Sequence, residues 1–157
     1  MALKYRSTER FIEPDPVYDS MRVSKFIGRL MQDGKRSLAE QIFYKAMKIL
    51  DERVEDASEL EVFEEAIENV KPVIEVRSRR IGGMTYQVPS EVSPKRQQTL
   101  AIRWILEAVR SNSGRPIHVS LAEELLDAYR KQGTAYTRRE TTHRMAEANR
   151  DFSHFGR

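Results

Sequence analysis

The chain of 157 residues contains no cysteine, one tryptophan and three histidines. Without cysteine there is no disulfide framework, no thiol nucleophile and no cysteine-ligated zinc, and a reducing compartment is compatible. His118, His143 and His154 are scattered, and none stands at metal-ligand spacing from another. No run of about 18 apolar residues is present, so no membrane-spanning helix and no membrane partner are expected. The opening stretch MALKYRSTERFIEP lacks an apolar signal core, so no leader peptide is expected. A phosphate-binding glycine loop is missing too. Gly34-Lys35 lacks the Walker spacing and a preceding strand, and Gly82-Gly83 falls between two β-prone runs. Enzymes need converging groups with tuned pKa values. Nothing of that kind is visible, so hydrolase or nuclease activity is unsupported and no cofactor or metal is expected.

What is present is charge, unevenly placed. The net charge is only +3. Between Asp51 and Glu68, however, nine acidic residues stand against the single Arg53, so that window carries −8 and the remainder +11. Such asymmetry suits a protein with one surface on a polyanion and another in solvent or against basic partners. For the acidic window by itself, a solvated helix face is the plainer reading.

Helical periodicity dominates the organisation. Val23, Phe26, Ile27, Leu30 and Met31 form one apolar face, ended by Asp33-Gly34. Leu38, Ile42, Phe43, Ala46, Ile49 and Leu50 make a second helix. Leu60, Phe63, Ala66, Ile67 and Val70 make a third, stopped by Pro72. Ser93-Pro94 reads as a helix start, with serine as cap and proline in the first turn. Leu100, Ala101, Trp104, Ile105 and Ala108 form that helix's buried stripe. A fifth helix carries Leu121, Ala122, Leu125, Leu126 and Tyr129, and a sixth covers about 135–149, with Thr137 and Glu140 as a candidate capping box. Between the third and fourth helices, about 73–89, alternating VIEVRSRR meets Gly82-Gly83 and then MTYQV. That pattern reads as a β-hairpin, because paired glycines tolerate the positive φ of tight turns. The expected fold is therefore mainly α: a single domain, a bundle of about six helices with an inserted, projecting hairpin. A basic extended arm (about 1–16) and a flexible tail (about 150–157) flank it.

Basic residues recur where these elements start, turn or end. Arg22, Lys25 and Arg29 lie largely off the apolar stripe of the first helix. Gly34, Lys35 and Arg36 open the second; Lys95 and Arg96 open the fourth, with Arg103 about two turns on. Helix starts with nearby cations are good phosphate sites. Lys4, Arg6 and Arg10 punctuate the arm. The hairpin carries Arg77, Arg79 and Arg80 around Gly82 and Gly83, with Met84 and Tyr86 beyond. A tyrosine beside arginines suits stacking on unpaired bases, and it equally suits packing on the bundle. A helix-turn-helix DNA reader around Asp33-Gly34 is the nearest alternative, but the second helix lacks the polar base-reading side chains such a helix presents.

Four segments, in order, carry a family resemblance: DSMRVSKFI (19–27) followed by Gly34-Lys35-Arg36, Ile42-Phe43 and Ala46; ENVKPVIEVRSRRIGGMTYQVP (68–89); SPKRQQ (93–98); and RMAEANR (144–150). On these the chain resembles the ribosomal protein seven family of the bacterial small (30S) subunit, from near one end to the other. The resemblance implies a non-enzymatic structural constituent of the ribosome, in the cytoplasm. It implies direct binding to 16S rRNA in the 3′ major domain, nucleation of head assembly, and a place near the exit tRNA site with the hairpin close to tRNA and mRNA. Neighbouring head and platform proteins are the implied protein partners, and no homo-oligomer is implied. Carried over by position, Gly34, Lys35, Arg36, Lys95 and Arg96 face rRNA. Arg77, Arg79 and Arg80 match the family's hairpin. Lys4, Arg6 and Arg10 match in position and charge only, because this arm is less densely basic than is usual for the family.

Overall fold

The computed structural model describes residues 7–156. Six α-helices and one hairpin follow in the expected order: α1 (Met21–Leu30), α2 (Arg36–Arg53), α3 (Glu59–Val70), β1 (Ile74–Ile81), β2 (Met84–Glu91), α4 (Pro94–Ser111), α5 (Ile117–Tyr129) and α6 (Gly133–Ala148). Short 3-10 segments at Thr8–Phe11 and Arg150–Gly156 flank them. Among the described residues no helix is long and apolar enough to cross a membrane.

The apolar stripes read from the sequence become the core. Val23, Phe26 and Ile27 of α1, Phe43, Ala46 and Leu50 of α2, and Phe63, Ala66 and Ile67 of α3 are fully buried. Phe26, Phe43 and Phe63 meet as a trio with ring centroids 5.3–5.6 Å apart, two of the three pairs edge-on, the geometry that aromatic quadrupoles favour. Helix α5 packs against α2, α3, α4 and α6 and so occupies the middle of the bundle. That position explains its uniformly small or apolar inner residues, Leu121, Ala122, Leu125 and Ala128. Trp104 is buried as a core anchor, with the Arg138 guanidinium 5.7 Å from its ring centroid.

Helix ends are settled by local chemistry. The Ser20 side chain accepts from the Val23 amide at the start of α1, and Ser58 with Glu61 forms a complete capping box at α3. Two expected caps are not formed. Pro94 does open α4, but the Ser93 side chain makes no cap bond. Thr137 and Glu140 do not cap α6 either, because the helix already starts at Gly133, and the Thr137 hydroxyl donates to the Gly133 carbonyl. The cap comes from another helix: Glu124 of α5 accepts from the Ala135 amide at 2.9 Å. Gly133 makes that junction feasible. Its φ is +90°, and a Cβ there would sit 2.9 Å from the Asp127 side chain.

The strands pair in register from Ile74↔Glu91 to Ile81↔Met84, with Gly82 (φ +58°) and Gly83 (φ +82°) in the turn. Positive φ at both positions matches the type I′ turn that suits the strands' twist. The base of the ribbon is held in the body: Glu75, Val88 and Pro89 are buried, and Val92 donates its amide to the Val73 carbonyl. The outer half, from Arg77 to Thr85, is exposed. The C-terminal segment lies on β2 as a 3-10 turn, where Phe152 and Phe155 flank Tyr86 at 5.4 and 5.2 Å between ring centroids. Within the expected arm, residues 7–16 run over the body, and Asp15 is buried. Its carboxylate accepts from the Val17 and Tyr18 amides and from the Tyr44 hydroxyl at 2.6 Å. Burial and that bond push the Tyr44 phenol well up, and burial beside Glu59 takes Tyr18 to about 12.

Candidate nucleic-acid interface

The cations of three separate helices converge. Lys25 and Arg29 of α1, Arg36 at the start of α2 and Lys95 at the start of α4 line one open groove of about 990 Å³. Gly28 lies between the two α1 cations, and an added Cβ there would come within 3.9 Å of the Arg36 guanidinium. Thr99 and Ile102 of α4 and Lys71 after α3 also line it, and the N-terminal segment between Thr8 and Pro16 forms another wall; Glu9, Glu13 and Glu40 are the groove's acidic residues. Lys25, Gly28 and Arg29 project here because the other side of α1, Val23, Phe26, Ile27 and Leu30, is in the core. The 3.6-residue period thus separates a cationic face from a buried one on one ten-residue helix.

Other candidate residues are spoken for inside the molecule. Arg22 clamps three helices: its guanidinium pairs with Glu64, lies 2.8 Å from Glu68, and donates from Nε to Gln98 at 3.2 Å. Lys71 pairs with the same Glu68 at 2.7 Å, and these partners, Lys71 foremost, hold that carboxyl below the usual range. Arg96 donates from Nε and Nη2 to Glu75 at 2.7 and 3.0 Å, while Arg77 reaches the same carboxylate at 2.9 Å. The Glu75 carboxyl is accordingly held down, chiefly by Arg96, and the Arg96 guanidinium is raised by the same bond. Arg36 splits its guanidinium between Glu40 at 3.2 Å and the Ser24 hydroxyl at 3.3 Å, and still faces the groove.

The three hairpin arginines do not act as one cluster. Cross-strand pairing puts Arg77 and Arg79 on the face that carries Tyr86 and Val88, and Arg80 on the opposite face with Thr85. Arg79 donates to the Phe155 carbonyl, so both inner arginines are pinned. Arg80 has no ion-pair or hydrogen-bond partner among the described residues, and Met84, paired with Ile81 at the turn, is 63% exposed. Tyr86 is half-buried and packs on Phe152 and Phe155 of the tail rather than on the helical bundle.

Lys35 and Arg103 are exposed, and Arg10 lies over the Phe11 ring at 4.6 Å. Gly34, with φ +72°, makes the α1–α2 turn. Lys4 and Arg6 fall outside the described residues.

Several participants were not legible beforehand. Glu75 is a charged residue inside an alternating strand, a signal readable as a clamp only once α4 is known to lie beside it. Glu9 lies across the groove mouth and bridges Lys95 at 2.8 Å, which lowers its carboxyl. Arg110 donates to the Arg29 and Leu30 carbonyls and so caps the end of α1. His143 accepts the Val73 amide at 3.0 Å, and the neighbouring Arg139 donates to the Lys71 carbonyl at 3.0 Å, so α6 holds the entry to the hairpin. Among the described residues no group of three or more histidine or acidic side chains is placed to hold a metal ion.

Residues 2–150 match the family described as ribosomal protein S7p/S5e. The chain belongs to the uS7 family of small-subunit ribosomal proteins. It is 54% identical over 150 residues to small ribosomal subunit protein uS7 of a Nitratiruptor species, and 53% identical to that of Thermosipho melanesiensis, with 96% of each chain covered in both cases. To uS7 of Natranaerobius thermophilus it is 50% identical over 155 residues, 99% of each chain. A uS7 protein is a structural, non-enzymatic component of the small ribosomal subunit in the cytoplasm, and RNA binding is typical of its family. Membership sets aside both the helix-turn-helix DNA reader and the hydrolase.

Proposed function

We propose that this uS7 protein binds 16S rRNA directly in its 3′ major domain and nucleates assembly of the head of the small subunit. The reading is supported above all by one arrangement: Lys25, Arg29 and Arg36 of the consecutive helices α1 and α2 meet Lys95 of the sequence-distant α4 in a single groove. A groove lined by three elements can hold phosphates of more than one RNA segment at once, and so fix the angle between them. Counterion release drives the grip, which therefore weakens steeply with salt. Lys35 and Arg103, exposed beyond the groove, extend the footprint. Arg22 and Arg96 act at one remove, since they hold α1, α3, α4 and the hairpin base in the geometry that presents the other cations. The hairpin reaches toward exit-site tRNA and mRNA with Arg80 and Met84 at its tip, and the subunit's head and platform proteins are its protein neighbours. The chain acts as a single copy.

The test is a filter-binding titration of the 3′ major domain fragment over a range of salt. Lys25→Ala, Arg29→Ala and Lys95→Ala together should reduce the slope of log K against log salt by about 2–3, since each lost contact removes roughly 0.7–0.9. A triple variant with the wild-type slope would refute the groove as the phosphate site.

A further inference from the structure

On the far side of the α1–α2 turn lies a second, smaller hollow of about 320 Å³, bounded by the end of α1, the start of α2, the end of α4 and the start of α5. Its floor is apolar: Leu30, Ala39 and Val109 are core residues, Ile42 and Ile117 are half-buried, and Leu38 lies 52% exposed on the wall. Its rim is cationic, with Lys35, Arg110 and Arg115 facing one acidic side chain, Asp33. Of the three, Lys35 has no partner among the described residues. Arg110 is bonded only to neutral carbonyls and keeps its charge unbalanced, while Arg115 pairs with Glu123.

An apolar floor inside a ring of positive charge suits a ligand that is flat and apolar in its body and anionic at its edge. We propose that this hollow receives a single unpaired nucleobase turned out of the rRNA, its phosphate held at the Lys35 side. Three observations favour that occupant over a side chain of a neighbouring protein. The volume stands at the small end of the range for ligand sites, about 300–1,000 Å³, enough for one base and not for a helix face. The rim charge complements a phosphate. The hollow also adjoins the main groove: Lys35 lines one and its neighbour Arg36 lines the other, so one RNA strand passing over this step would meet both. Gln32 and Asn112 at the rim can bond the base's polar edge, the usual way a splayed base is read in RNA. This inference rests on the rRNA-binding reading above and adds the base pocket to it.

Leu38 is the residue to change, because half of its surface is already exposed and its loss leaves the core intact. The protein and the 3′ major domain fragment are mixed, and unpaired bases are probed with a base-modifying reagent while affinity is measured across salt. Wild-type protein should protect one unpaired base beyond those explained by phosphate contacts. Leu38→Ala should weaken binding roughly three- to tenfold, restore reactivity at that base alone, and leave the salt slope unchanged, since no cation is lost. Leu38→Glu should do the same more strongly. Both variants should melt like the wild type. If Leu38→Ala keeps wild-type affinity and footprint, or shows a defect only in the assembled subunit where protein neighbours are present, the base pocket is refuted. Failure of the wild type to bind the fragment would instead overturn the rRNA reading itself, so the two failures are distinguishable.

Discussion

Replacing Arg96 by Ala should cost this protein stability more than it costs affinity for RNA, whereas replacing its neighbour Lys95 should do the reverse. The Glu75 side chain is only 10% exposed and holds three charge-assisted contacts, two of them from Arg96. Charged hydrogen bonds are each worth about 1.5–3 kcal/mol, and stranding a buried carboxylate adds to the loss. Two features reduce the total: the Arg96 side chain is 41% exposed, and Arg77 remains as a counter-ion. The expected cost is about 2 kcal/mol, which for a chain of this length lowers Tm by roughly 4–8 °C. The lowered pKa of Glu75 adds a signature. Its folded carboxyl titrates below the unfolded one, so the cluster's contribution is complete above about pH 4.3 and lost as pH falls through the folded value. The gap in Tm between wild type and Arg96→Ala should therefore close in acid. Thermal melts followed by circular dichroism at pH 7 and along an acid series measure both effects. Lys95→Ala, whose partner Glu9 is exposed, should melt like the wild type and bind RNA more weakly. Equal melting of the two variants, with Arg96→Ala losing as much affinity as Lys95→Ala, would refute the argument that Glu75 commits Arg96 to the fold.

Other outcomes follow from the same geometry. Glu9→Gln removes the carboxylate lying over Lys95 and should tighten binding of the 3′ major domain fragment at low salt, with the gain fading as salt screens it; weaker binding would count against competition between Glu9 and phosphate. Replacing Arg80–Thr85 by Asn-Gly shortens the exposed ribbon and should leave Tm within about 2 °C of wild type, because no core residue is lost, while altering exit-site tRNA retention in reconstituted subunits. The His143 imidazole is held below its usual pKa, first by burial and then by Arg139, and accepts the Val73 amide only when neutral. Wild-type stability should therefore decline as pH falls below about 6.5, and His143→Gln, which cannot take up a proton, should flatten that decline in a pH series of melts.

Much of this protein was legible in its sequence because the relevant physics is local. The period of Val23, Phe26, Ile27 and Leu30 marks a buried face whatever packs on it, and Pro72, Gly82-Gly83 and Pro94 punctuate the chain through their own backbone preferences. Four ordered motifs were enough to indicate the family. Charge was legible as well, but only as a list of cations. Which of them are free depended on long-range neighbours. Arg22 is neutralised by residues more than forty positions away on α3, and Arg96 by a strand residue twenty-one positions back. Lys25, Arg29, Arg36 and Lys95 share a groove only because α1, α2 and α4 meet there. The fate of Tyr86 was likewise undetermined until the tail's two phenylalanines came to rest on it. Periodicity and turn chemistry act over a few residues and are written in order along the chain. An ion pair is a property of two segments brought together, so the assignment of cations to fold or to RNA belongs to the tertiary structure alone.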